Sequence, residues 1–361
     1  MKFAVLKNDN DVSRDRFADK IVDVVQSQGH ELSADLDEVN FVLNLTNLNN
    51  PRAFRRKSKS VFVISIIRGE NNNGTMKSVC YTTLIKTLSN LLIYITEDEL
   101  EKSDVFFTTP EAGFYHIKYN PLEVFNKILP IASSHFATDN ILVPDLPKKY
   151  FNGSPIFDKI KFYGKELNNM GVLPTPFPLR EVLSERELQH LYKIFGITGA
   201  SYGNLSAREN IPELGKTTFW MTGRGVDKSN IKTVGKDALL VKKFDYDSGT
   251  AYLSVPDVYN ERSRVSVDAV EHSKIYETFK EVGAIIHVHA WIDGVLCTHQ
   301  NHPCGTVELA DEVVNLFKKL DNPAQSAIGL KNHGLTITGH SLDEIFERIK
   351  GKLKTEVPMF A

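Results

Sequence analysis

The stretch GAIIHVHAWIDGV, residues 283–295, sets His287 and His289 two apart in an otherwise apolar run. In a strand, residues i and i+2 share a face, so both imidazoles can reach one ion at ordinary metal–nitrogen distances. Satisfied histidines at a strand end would look the same, so the pair alone decides nothing. His333, in LKNHGLT, ends another apolar run, with Gly334 beside it permitting close backbone approach. Three neutral imidazoles with an open fourth position suit a catalytic ion, because substrate or water must still reach it. Asp268 lies 19 residues before the H-x-H, near the start of the preceding helix, and His272 follows one turn later on the same face. Beside an ion, an acid serves as ligand or general base. In the first turn of a helix it also simply favours the dipole, and both readings stand.

Two other groups invite chemistry. CTHQNHPC holds Cys297, His299, His302 and Cys304 within eight residues, zinc-binding types at a spacing too tight for easy tetrahedral closure. The basic run PRAFRRKSK, residues 51–59, could grip a phosphate, or form a solvated connection. No glycine-rich phosphate loop follows the first apolar strand, so a nucleotide site of that kind is not expected.

At 361 residues the chain has length for two domains of roughly 150 to 200 residues. With 42% hydrophobic residues, 24% charged residues and a net charge of -2, it lacks the basic excess of a dedicated nucleic-acid binder. No run approaches the ~20 apolar residues that cross a bilayer, so no membrane partner is expected. Three cysteines are too few for a disulfide framework and agree with a reducing, cytoplasmic location.

The elements that position the histidines follow from periodicity. KFAVL, NFVLNL and SVFVISII are near-continuous apolar strands between helical patterns, the texture of a parallel α/β sheet covered on both faces. SDVFFTTPEAGFYHIKY reads as further strand and PLEVFNKILPIASSHF as a closing helix with Pro121 at its start. Residues 1–150 are therefore expected to form a Rossmann-like α/β domain of unknown role. Proline and glycine between Pro144 and Pro178 mark a connector over 151–178. A second domain over 179–361 opens on SERELQHLYKIFG, where Ser184 and Glu187 have capping-box spacing. SVDAVEHSKIYETFKEV reads as a helix feeding the H-x-H strand, and DALLVKKFDYDSGTAYL as a hairpin.

GNLSAR at 203–208, TGRG at 222–225, the acid ahead of the H-x-H, GTVELAD at 305–311 and LKNHGLTITGHSLDEIFERI resemble, in that order, the class II aldolase/adducin family. The resemblance covers about residues 180–355 and none of the first 150. It implies an α/β/α sandwich around a mainly antiparallel sheet, assembled as a homotetramer. His287, His289 and His333 fall on the family's zinc ligands, with manganese, iron or cobalt as alternative ions, and Asp268 falls on its catalytic acid. Gly203, Asn204, Gly225 and Ser266 fall on its anion pocket, where Arg224 replaces a Thr/Ser and Val267 a second serine. The implied activity is lyase-type, on a small anionic sugar phosphate or hydroxy-keto acid through an enediolate. The alternative is a non-catalytic scaffold of the adducin kind. Relatives have a longer stretch after the H-x-H, carrying a tyrosine that acts as proton donor in a neighbouring subunit. This chain lacks it, and Asp293, His299, His302 and Tyr259 are the candidates to replace it.

Overall fold

The computed structural model describes residues 1–69, 76–96, 99–173, 183–195 and 201–361. The first sheet contains β1 (Lys2–Lys7), β2 (Glu31–Leu32), β3 (Phe41–Leu45), β4 (Phe62–Arg68), β5 (Leu91–Ile95), β6 (Asp104–Thr108) and β7 (Phe114–Lys118), in the order β2-β1-β3-β4-β5-β6-β7. Strands β1 to β5 run parallel. Strands β6 and β7 depart from an all-parallel sheet: they are an antiparallel hairpin on its edge. Their link, residues 109–113, is too short for the crossover that a parallel neighbour requires.

Alternation along β4 and β5 sends Ile64, Ile66 and Ile93 to one face and Ile67, Leu92 and Tyr94 to the other. Helices α1 (Val12–Ser27), α2 (Met76–Thr87) and α3 (Pro121–Ala132) cover both faces. Phe17, Ile21, Val124 and Ile128 seal the first, and Tyr81, Leu84 and Ile85 of α2 the second.

The second sheet contains β8 (Asp139–Val143), β9 (Asn204–Arg208), β10 (Phe219–Thr222), β11 (Ala238–Asp245), β12 (Thr250–Ser254), β13 (Ala284–Val288), β14 (Leu296–Cys297), β15 (Ala327–Leu330) and β16 (Gly334–Gly339). Their order is β14-β15-β16-β13-β9-β10-β11-β12-β8. All interior pairs are antiparallel, and only the two end pairs, β14 with β15 and β12 with β8, are parallel. Strand β8 thus joins this sheet although it precedes the proline-rich stretch.

Helix α4 (Pro155–Asn169), capped by Ser154, lays Phe157, Ile160 and Leu167 on one face of this sheet. Helix α5 (Glu185–Phe195) has the reciprocal Ser184–Glu187 bonds of a capping box, and its Leu188 and Leu191 pack with α2 rather than on the second sheet. Helices α6 (Ala269–Thr278) and α7 (Val307–Phe317) cover the sheet's other face, and α8 (Leu342–Ile349) packs beside α4. The PTPFP stretch lies outside the described residues. Among those described, no helix is long and apolar enough to cross a membrane.

Candidate metal centre

His287 occupies β13, in register with Asn204 of β9 and Thr336 of β16. His289 follows just past the strand end, and His333 sits in the tight β15–β16 turn, its N–H donating to Leu330 O at 3.0 Å. A Cβ on Gly334 would lie 2.2 Å from Val288 O, so only glycine lets this turn close on the H-x-H strand. Gly203 meets the same strand from the other side: with φ at 74°, its Cβ would come 2.5 Å from His287 O.

The three rings converge, with centroids 4.7 to 5.3 Å apart and ligand atoms all within 4.8 Å of one another. His287 Nδ1 donates to Leu335 O at 3.0 Å. A carbonyl only accepts, so this bond fixes the tautomer and leaves Nε2 as the ligand atom. Tyr202 lies flat on His289, 4.7 Å between centroids and 7° between planes. Burial lowers the proton affinity of all three histidines, and neighbouring rings lower that of His289 and His333 further. Neutral, convergent imidazoles are what a divalent ion requires.

Asp268 stands at the start of α6 but makes no side-chain cap bond. Its buried carboxylate instead accepts from Asn204 Nδ2 at 2.6 Å. The carboxylate, the three histidines and Gly203, Asn204, Arg224, Gly225 and Ser266 line one cavity of about 380 Å³. Arg224 donates from Nη2 to Thr138 O at 3.0 Å, while its buried Nε–H has no partner among the described residues. His272 stays out of the triad, its Nδ1 bonded to Ser206 Oγ at 2.7 Å.

As their tight spacing implies, Cys297, His299, His302 and Cys304 do not assemble into a metal site: among the described residues, only His287, His289 and His333 form such a group. His302 turns to Ser134 and Pro130, while Cys304 turns to Glu111. Asp293, His299, His302 and Tyr259 lie away from the cavity lining. Asp293 pairs with Lys354 on the surface, and Tyr259 packs against the core beneath α6 and α7. The basic run is more than a solvated connection, because Arg56, Lys57, Ser58 and Lys59 all reach the cavity wall. Arg56 anchors the run through Val61 O, Leu88 O and Asn90 Oδ1.

Other lining residues escape sequence reasoning. Lys228, buried with Nζ bonded to Ser201 O at 3.0 Å, is pushed down to about 8 by burial, which the Asp227 and Asp268 charges oppose. It follows TGRGVD, where a lysine reads as surface. Glu111 comes from the β6–β7 turn, whose TTPEAG sequence signals only a turn.

Residues 187–292 match the model of the Class II Aldolase and Adducin N-terminal domain. The match includes His287, His289 and Asp268 but stops short of His333, which the β15–β16 turn adds. No curated protein matches the chain significantly. Among solved structures, L-fuculose 1-phosphate aldolase aligns at 18% identity and a TM-score of 0.37, covering 55% of this chain and 81% of that one. YgbL of Escherichia coli aligns at 15% identity and 0.31, covering 53% and 84%. Scores this low add no argument to the family match. The chain thus carries, over residues 187–292, a domain of the class II aldolase and adducin family.

Proposed function

We propose that the chain is a metal-dependent enzyme of the lyase type, acting by aldol cleavage, epimerisation or dehydration on a small sugar phosphate or hydroxy-keto acid. The observation that carries this reading is the meeting of three neutral imidazoles and the Asp268 carboxylate on one cavity. Burying four polar groups around one point is costly without a ligand to satisfy them. The donor set fits a divalent ion, for which zinc (Zn2+) is the first choice and Mn2+, Fe2+ or Co2+ the alternatives. His287, His289 and His333 would hold it, and it would supply Lewis acidity toward a substrate carbonyl.

Asp268, oriented by Asn204, removes the proton next to that carbonyl or from the adjoining hydroxyl. Arg224 offers the unpaired Nε–H to the substrate's anionic group, beside the backbone of Gly203 and Gly225 and the Ser266 side chain. Lys57, Lys59, Arg224 and Lys228 make the wall predominantly cationic, which supports an anionic substrate. The family resemblance supports extending the proposal to a cytoplasmic homotetramer.

The test is the metal content of the untagged protein by inductively coupled plasma mass spectrometry, followed by turnover on a panel of ketose phosphates and keto acids. About one ion per chain together with turnover is expected. No ion after incubation with zinc would sink the enzyme reading in favour of an adducin-like scaffold.

A further inference from the structure

The cavity has two acidic walls, and they come from opposite halves of the chain. Asp268 belongs to the second sheet's side; Glu111 belongs to the first, in the β6–β7 turn. That turn is fastened to the metal centre at three points. Tyr202, which lies on His289, donates its hydroxyl to Pro110 O at 3.1 Å. The Cys304 N–H donates to Glu111 Oε1 at 3.2 Å. Gly113 presses against the neighbour of His333 so closely that a Cβ there would lie 2.9 Å from Asn332 O. Ala112 holds a left-handed φ of 68° directly after Glu111, a conformation unfavourable for a non-glycine residue that persists where packing enforces it.

We propose that Glu111 is the second acid–base residue of the site, giving a proton to the departing part of the substrate while Asp268 takes one from the other side. This rests on the enzyme reading above. In the step, Asp268 accepts a proton from the substrate, and the bond to the departing group breaks with its electron pair going to one atom. The Glu111 O–H then transfers its proton to that atom. Water carries the proton from Asp268 back to Glu111 after release, so protons balance and no electrons are exchanged.

The carboxyl is prepared for this role. Burial raises its proton affinity, against bonds from its own N–H, Cys304 and Thr109, so it is biased toward the protonated form that a general acid requires. Its neighbours on this wall, the Tyr202 hydroxyl and the Cys304 thiol, are both pushed up by burial and thus poor proton donors. Glu111 is the only carboxyl besides Asp268 among the described lining residues.

The test compares native protein, Glu111→Gln and Glu111→Asp, all full-length and metal-loaded, by metal content, affinity for phosphoglycolohydroxamate, and kcat and KM on the best substrate of the panel. Glu111→Gln should keep its ion and bind the mimic within about threefold of native, yet lose about 100-fold or more in kcat with KM little changed. Glu111→Asp should recover part of the rate. A Glu111→Gln kcat within about tenfold of native overturns the proposal. So does loss of ion or mimic binding in both variants, which would make Glu111 a prop for its turn. Native protein without metal or turnover removes the enzyme reading itself, whereas native turnover with an unaffected Glu111→Gln removes only this inference.

Discussion

The Asn204 side-chain amide donates to Asp268 Oδ2 at 2.6 Å, tying β9 to the first turn of α6 inside the cavity. The residue whose motif points to anion binding therefore also orients the carboxylate. A hydrogen bond to a charged group contributes about 1.5–3 kcal/mol. Asn204→Ala should therefore lower kcat by about 10- to 100-fold while the ion stays bound. Steady-state kinetics with metal analysis decides, and a variant that loses its ion would show that Asn204 supports the triad instead.

His333 lies outside the matched family domain yet completes the group of three imidazoles. His333→Ala should purify with far less than one ion per chain and regain little on incubation with zinc, as measured by mass spectrometry. Its fold should survive, because the side chain sits at a turn facing the cavity. A full ion in this variant would mean that the metal is held elsewhere.

Gly334→Ala should damage both stability and metal binding. Its methyl would meet Val288 O at 2.2 Å, and relief requires β13 and β16 to part beside His289. Overpacking of this kind costs about 1–3 kcal/mol or more. Urea unfolding and zinc titration should show losses in parallel; an unchanged zinc affinity would show that the turn tolerates the shift.

Glu271 supplies a prediction in pH. Burial, and then the nearby Asp268 charge, push its carboxyl up to about 8, against a bond from Thr336 Oγ1 at 2.6 Å. Unfolded, the same carboxyl loses its proton near 4.5. Between those values the fold holds a proton that the unfolded chain does not, so this group's contribution to stability is lost as pH rises. Glu271→Gln removes the dependence. In metal-free protein its stability relative to native should climb from pH 4.5 to 8 by on the order of 1 kcal/mol per pH unit. Urea unfolding at several pH values reads this, and a constant difference would contradict it.

Much of the second half was legible because its signals are local. The H-x-H period, the glycine beside His333 and the Ser184–Glu187 spacing each report within a few residues, and the side chains they name do line one cavity or make the expected bonds. What failed depends on contacts between distant segments. Glu111 meets Cys304 across 193 residues, and nothing near it in sequence announces a cavity. CTHQNHPC is compact only along the chain, and the directions its side chains take, His302 toward α3 and Cys304 toward Glu111, depend on segments far from it in sequence. The antiparallel β6–β7 hairpin was hidden because a strand's residues report that it is a strand, while its direction depends on which neighbour it pairs with.

Strand β8 decides where this protein can be cut. Residues 139–143 pair with 250–254, and the flanking chain adds Ala137 N–H to Gly305 O and Leu146 N–H to Val255 O. A fragment starting at the proline-rich stretch would leave β12 as a bare edge, open to pairing with another copy. One starting before His135 would not. A piece of the chain that keeps the second sheet whole therefore has to begin upstream of residue 139.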